Sequence, residues 1–232
     1  MINALELYEY QMYKKQRNAH NSYLCFMISK QMQKLEQWLE KPSEVVIIPH
    51  KNPDGDAMGS CLAWQKILQQ LGHTAVVVAP NSYPTFLHWL PGHKEVIIYE
   101  ERPELGNKLV RDADFIFTLD FNTLKRIDVL GEQVAHSKAK KIMIDHHQEP
   151  EDYADIMFSE PQIGSTCELV YQIIEGLNKI DYINKEVATC IYTGILTDTG
   201  SFRFPSVTAY THKAVAVLIE RGANCGCTRM SG

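Results

Sequence analysis

Acids and imidazoles stand directly behind apolar runs at several places in this chain. His50, Asp54 and Asp56 lie in HKNPDGD, Asp120 in FIFTLDFN, Asp145, His146 and His147 in KKIMIDHH, and Asp198 in GILTDTGSF. Carboxylate with imidazole suits Mn²⁺, with Mg²⁺, Fe²⁺ or Co²⁺ as alternatives, rather than a thiolate zinc site. Taken singly, each segment has an ordinary explanation. NPDGD is good turn chemistry, Asp120 could cap a helix, and DHH could be a polar loop. Yet two carboxylates that close together raise each other's pKa unless a cation intervenes. Four acids and at least two imidazoles from separate segments, taken jointly, fit two ions sharing one bridging carboxylate.

The segments that must position these side chains share one form. EVVIIPH (44–50), TAVVVAP (74–80), EVIIYE (95–100), DFIFTLD (114–120) and KKIMIDHH (140–147) are short, nearly continuous apolar runs rich in β-branched residues. That is the pattern of strands buried on both faces. AMGSCLAWQKILQQLG (57–72) carries an apolar stripe at helical spacing and stops at Gly72, a natural C-cap. From 164 onward GSTCELVYQIIEGLN, NKEVATCIYTGILTD and TAYTHKAVAVLIERG read as helices. The alternation predicts an α/β fold, a mostly parallel sheet flanked by helices and followed by a helical segment. Ligands of such a sheet gather just beyond the carboxyl ends of its strands, where three of the four clusters stand.

Composition narrows the field. With 232 residues, 45% of them hydrophobic, the chain can bury a core. A net charge of −5 gives no broad basic surface for long duplex nucleic acid. A small anionic substrate remains compatible, because bound divalent cations would reverse the local sign. No apolar run approaches the roughly 20 residues that span a bilayer, and the amino terminus lacks the order of a secretory signal. Six scattered cysteines without a CxxC pair read as reduced thiols in a cytoplasmic protein. Residues 1–29 are expected to form a helical N-terminal extension, 30–222 the compact body, and 223–232 a loose tail.

HKNPDGD, the LD of FIFTLDFN, DHH, GSTCELV and TDTGSF, in that order, resemble the motifs of the DHH phosphoesterase superfamily. The likeness is greatest to the bacterial oligoribonucleases of the NrnA type that also act on 3′-phosphoadenosine 5′-phosphate, and it covers about residues 30–222, the expected catalytic domain. It implies one metal held by His50, Asp54 and Asp120, and a second held by Asp56, Asp120, His146 and Asp198. Asp145 would orient an imidazole, and His147 would face the phosphate as the catalytic donor. The implied activity is hydrolysis of short single-stranded oligonucleotides or a small phosphorylated nucleotide by a hydroxide activated between two Mn²⁺ ions. The alternatives are hydrolysis of cyclic dinucleotides, polyphosphate or pyrophosphate, or a metal-bound module without turnover. A homodimer is a further expectation, and no membrane partner is expected. Relatives of this type continue into a smaller nucleotide-holding domain with a glycine-rich motif, which this sequence is expected to lack.

Substrate contacts are read more openly. Arg126, a turn beyond Asn122, is either a phosphate clamp, with Asn122 beside it, or a solvated arginine. Ser165 and Thr166 open a helix whose N–H groups could meet an anion, though plain capping completed by Glu168 explains them equally. Arg203 in SFRFP is a further candidate. Trp64 and the aromatics of 83–89 read as core, although the latter could line an entrance.

Overall fold

The computed structural model describes residues 30–225. The expected helix over 1–29 and residues 226–232 of the expected tail lie outside the described residues. Six parallel strands form one sheet: β1 Glu44–Pro49, β2 Thr74–Ala79, β3 Ile97–Ile98, β4 Phe115–Leu119, β5 Lys140–Asp145 and β6 Ile156–Ser159. Their spatial order is β3-β2-β1-β4-β5-β6. Helices follow in chain order as α1 (30–38), α2 Gly55–Gln70, α3 Pro103–Asp112, α4 Val129–His136, α5 Thr166–Gly176, α6 Lys185–Asp198 and α7 Ala209–Glu220.

The continuous apolar strands are explained by a core on each side. Val45 and Ile47 join one cluster with residues of α2, α5 and α6, while Val46 and Ile48 join the other with residues of α3 and α4. Side chains alternate across a strand, so burial of both sets requires helices on both faces. Trp64 sits edge-on to Phe117 with ring centroids 5.5 Å apart, inside the core as expected. Of the expected strands, EVIIYE contributes only Ile97–Ile98 to the sheet. β6 has no counterpart in the sequence reading. Only four residues long, at the sheet edge and flanked by acids, it carries almost no periodic signal.

Chain direction through the sheet reverses between β1 and β4. They lie side by side, yet their onward connections run to β2 on one side and β5 on the other. Such a switch point opens a crevice beyond the carboxyl ends of the strands. β1 ends at Pro49 and β4 at Leu119, so His50 and Asp120 both point the chain into that crevice.

α2 and α6 pack most intimately, and small residues allow it. A Cβ on Gly59 would lie 2.6 Å from the Cys190 carbonyl oxygen, and one on Gly55 would lie 2.6 Å from Thr197 Oγ1. The close approach brings the first turn of α2, with Asp56, beside the last turn of α6, with Asp198. Gly59→Ala therefore has to push two helix backbones apart. The expected cost is about 1–3 kcal/mol, measured by urea unfolding at equilibrium, with an accompanying loss of the metal-dependent stabilisation described below.

Candidate metal centre

Four chain segments meet in the crevice. The loop after β1 brings His50 and Asp54, and Asp56 stands in the first turn of α2. Asp120 follows β4, Asp145 closes β5 with His146 and His147 following, and Asp198 is the last residue of α6. Six of these, His50, Asp54, Asp56, Asp120, His146 and Asp198, are the metal-ligand candidates expected from the sequence, and the fold brings all six together. Three overlapping groups have ligand atoms mutually within 4.8 Å: His50, Asp54 and Asp120; Asp56, His146 and Asp198; Asp120, His146 and His147.

Asp120 is the hinge of the arrangement. Its Oδ2 lies 3.6 Å from His50 Nε2, and its Oδ1 lies 3.5 Å from His146 Nε2. One carboxylate thus presents one oxygen to each half of the site. Its backbone is left-handed, with φ +68°, a region an aspartate enters more readily than most residues. The helix cap considered from sequence is not its role, because Thr123 caps the turn that follows. Thr166 Oγ1 donates to Asp120 Oδ1 at 2.8 Å and fixes the carboxylate from behind.

The imidazoles face these acids with the wrong spacing for hydrogen bonds and the right spacing for shared ions. His50 Nδ1 lies 2.7 Å from the Lys51 carbonyl, and His146 Nδ1 lies 3.1 Å from the Ile163 carbonyl. A carbonyl only accepts, so both rings carry a proton on Nδ1 and turn Nε2, the nitrogen left to bind a cation, toward the carboxylates. His146 Nε2 stands 3.3 Å from Asp198 Oδ2 and 4.0 Å from Asp56 Oδ2, and His50 Nε2 stands 3.9 Å from Asp54 Oδ2. Donors bound at roughly 2.0–2.2 Å to one cation sit about 3–4 Å apart, so the residues fit divalent ions.

Asp54 and Asp56 do structural work as well. Asp54 Oδ1 accepts from the Asp56 and Ala57 N–H groups and caps α2, leaving Oδ2 toward His50. Asp56 is buried and accepts from the N–H groups of Thr166 at 2.6 Å and Cys167 at 2.9 Å. The amino end of α5 thus holds a carboxylate of the chain itself, a favourable placement for negative charge. A Cβ on Gly194 would lie 2.6 Å from Asp56 Oδ1, so the glycine leaves the carboxylate its room.

Two sequence expectations change here. Ser165 and Thr166 are fully buried behind the acids rather than open to a substrate. Ser165 caps α5 by accepting from the Glu168 N–H at 3.1 Å, and the first N–H groups of the helix are taken by Asp56. Glu168 does not complete the box; its carboxylate accepts from Thr211 of α7 at 2.9 Å. The other expected substrate residues lie nearer the surface. Asn122 donates to the Gln148 carbonyl at 2.7 Å and ties the loop after β4 to the one carrying DHH. Arg126 is partly buried, makes no side-chain hydrogen bond or ion pair among the described residues, and acts on His147 through its charge. Arg203 is exposed and donates to the Gly200 carbonyl at 2.7 Å, steadying the turn behind Asp198.

His147 and Asp145 form a separate pair. Asp145 Oδ1 lies 2.7 Å from His147 Nδ1, and the hydrogen bond raises the imidazole above its ordinary pKa. Asp145 is wholly buried, and its other oxygen has no hydrogen-bond partner among the described residues, so the carboxylate serves His147 alone.

Without cations the acids strain against each other. Burial pushes Asp56 well above the usual carboxylate range, and the charges of Asp120 and Asp198 add to it. Asp120 is raised by burial and by Asp54, although His146 and His50 oppose the rise. Burial lifts Asp198 to about 6. Asp198 also closes α6, where the carbonyl end of the helix offers an acid no support.

Residues 44–195 match the DHH family, N-terminal domain, and the chain belongs to that family. The bifunctional oligoribonuclease and PAP phosphatase NrnA of Thermus thermophilus is 34% identical over 178 residues, 77% of this chain and 50% of the relative. The cyclic-di-AMP phosphodiesterase GdpP of Bacillus subtilis is 29% identical over 200 residues, 82% of this chain and 30% of that protein. A crystal structure of an exopolyphosphatase-related protein from Bacteroides fragilis superposes with a TM-score of 0.83 at 41% identity, covering 84% of this chain and 57% of the other. The chain therefore spans about half the length of the NrnA relative.

The raised acids give a pH signature. Asp198 holds its proton more tightly folded than unfolded, so stability contributed at low pH is lost as pH rises from its ordinary 3.8 through about 6. In metal-free protein this loss is expected in thermal melts and is expected to shrink in Asp198→Asn. Added Mn²⁺ should raise the melting temperature most above that window, where the carboxylates are free of protons.

Proposed function

We propose that this domain is the catalytic part of a Mn²⁺-dependent phosphoesterase that hydrolyses short single-stranded oligonucleotides or 3′-phosphoadenosine 5′-phosphate in the cytoplasm. The observation that carries the reading is the divided Asp120 carboxylate, one oxygen in each of two ligand groups. His50, Asp54 and Asp120 would hold one ion, and Asp56, Asp120, His146 and Asp198 the other. Bound divalent ions supply Lewis acidity toward phosphoryl oxygens and bring the pKa of water toward neutrality.

The rest falls to the chain's own side chains. Asp145 fixes the His147 ring and favours its protonated form. His147 is a third exposed, so its remaining nitrogen can donate to a phosphate oxygen or to the leaving oxygen as charge develops. Arg126, with its guanidinium unpaired among the described residues, offers a forked contact to phosphate. The net charge of −5 favours a small phosphorylated substrate over a long duplex. No helix among the described residues is long and apolar enough to cross a membrane.

A second reading, hydrolysis of cyclic dinucleotides or polyphosphate, draws support from the GdpP relative and the exopolyphosphatase-related structure. Parallel assays with Mn²⁺ on a ribodinucleotide, 3′-phosphoadenosine 5′-phosphate, cyclic di-AMP and inorganic polyphosphate separate the readings. The first reading expects turnover of the dinucleotide or the adenosine bisphosphate. His146→Ala and Asp120→Asn should each lose roughly 100-fold or more, exceeding the ~10–100-fold of groups that only support ligands. His147→Ala should lose about 100- to 10,000-fold while still binding Mn²⁺. Undiminished hydrolysis in Asp120→Asn would falsify the proposal.

A further inference from the structure

The loop that carries His50 and Asp54 is held at its tip by a single side chain from another strand end. Asn52, midway between the two ligands, has a left-handed backbone with φ +55°. Its N–H donates to Asn81 Oδ1 at 2.7 Å, and Asn81 Nδ2 donates back to Asn52 Oδ1 at 2.7 Å. The same Nδ2 also donates to the Ser82 carbonyl at 3.0 Å, which fixes the orientation of the amide. Asn81 follows β2 and is buried, with 9% of its surface exposed. The loop has one other main-chain tie nearby, from the Lys51 N–H to the Arg126 carbonyl at 2.8 Å.

We propose that Asn81 is a positioning residue that sets the His50–Asp54–Asp120 half of the centre, and that half alone. The inference rests on the two-ion reading given above. A reciprocal amide pair of this kind fixes both the main chain and the side chain of Asn52, the residue that needs fixing because its conformation is costly without support. The orientation of His50 follows from the same loop, since its Nδ1 partner is the Lys51 carbonyl. The other half owes nothing to this loop tip. Asp56 is held by the amino end of α5, and His146 is held by the Ile163 carbonyl. Asp198 belongs to α6. Removal of the Asn81 amide should therefore weaken one ion and spare the other.

The test is Mn²⁺ binding by calorimetry and equilibrium dialysis, with thermal melts of the metal-free proteins. The wild-type chain is expected to bind two ions. Asn81→Ala should bind one ion with wild-type affinity and the other roughly 10–100-fold more weakly, the range for residues that orient ligands. Asn52→Gly tolerates the left-handed backbone and keeps the N–H contact while losing the return bond. It should weaken the same ion by a smaller factor, and it decides the matter if Asn81→Ala does not fold. Equal weakening of both ions, or unchanged binding of both, in whichever variant folds would overturn the assignment of Asn81. Failure of the wild-type chain to bind Mn²⁺ would instead overturn the two-ion reading itself.

Discussion

Carboxylate crowding at the switch point of the sheet is the constraint on which this molecule turns. Asp56 and Asp120 are buried, burial raises them and Asp198 above the usual carboxylate range, and the charges of neighbouring acids add to the rise. A fold gains nothing by placing like charges in a low-dielectric crevice unless something of opposite sign joins them. The protein supplies part of the compensation through the N–H groups at the head of α5 and the hydroxyl of Thr166. His50 and His146 ease Asp120 in part, and each turns Nε2 toward the acids because its Nδ1 faces a backbone carbonyl. Bound divalent cations would meet the remaining demand, and under the proposed function the same ions would supply the chemistry of phosphoester hydrolysis.

The two halves of the centre are built on different scaffolds. His50 and Asp54 belong to a loop pinned by Asn81 and the Arg126 carbonyl, whereas Asp56 and Asp198 belong to helices pressed together over Gly55 and Gly59. Asp120 joins the halves, and its left-handed backbone at the end of β4 lets a single carboxylate face both. Stiff helices on one side and a pinned loop on the other allow the halves to differ in how firmly each holds an ion. Beside them, Asp145 and His147 form a hydrogen-bonded pair at the end of β5.

The candidate ligands could be picked out in the sequence because parallel strands deliver their last residues to one edge. His50, Asp120 and His146 follow apolar runs that end in that way, and the alternation of strands and helices supplies the common edge. The family match over residues 44–195 agrees with the resemblance read from the motifs. The supports were harder to read. Ser165 and Thr166 sit at a helix start, where capping and anion binding have the same sequence signature, and only the arrival of Asp56 from another helix separates them. Asn81 was within reach, since it follows β2 just as the ligands follow β1 and β4, but an amide carries no metal-ligand signature. β6 was hidden by its shortness and its edge position.

The sharing of Asp120 between two ions has a direct spectroscopic test in the electron paramagnetic resonance of the Mn²⁺-loaded protein. Two ions bridged by one carboxylate are expected to give the spectrum of an exchange-coupled pair, and Asp120→Asn is expected to abolish the coupling. A spectrum of isolated Mn²⁺ at full loading, or coupling that survives in Asp120→Asn, would contradict the dinuclear centre.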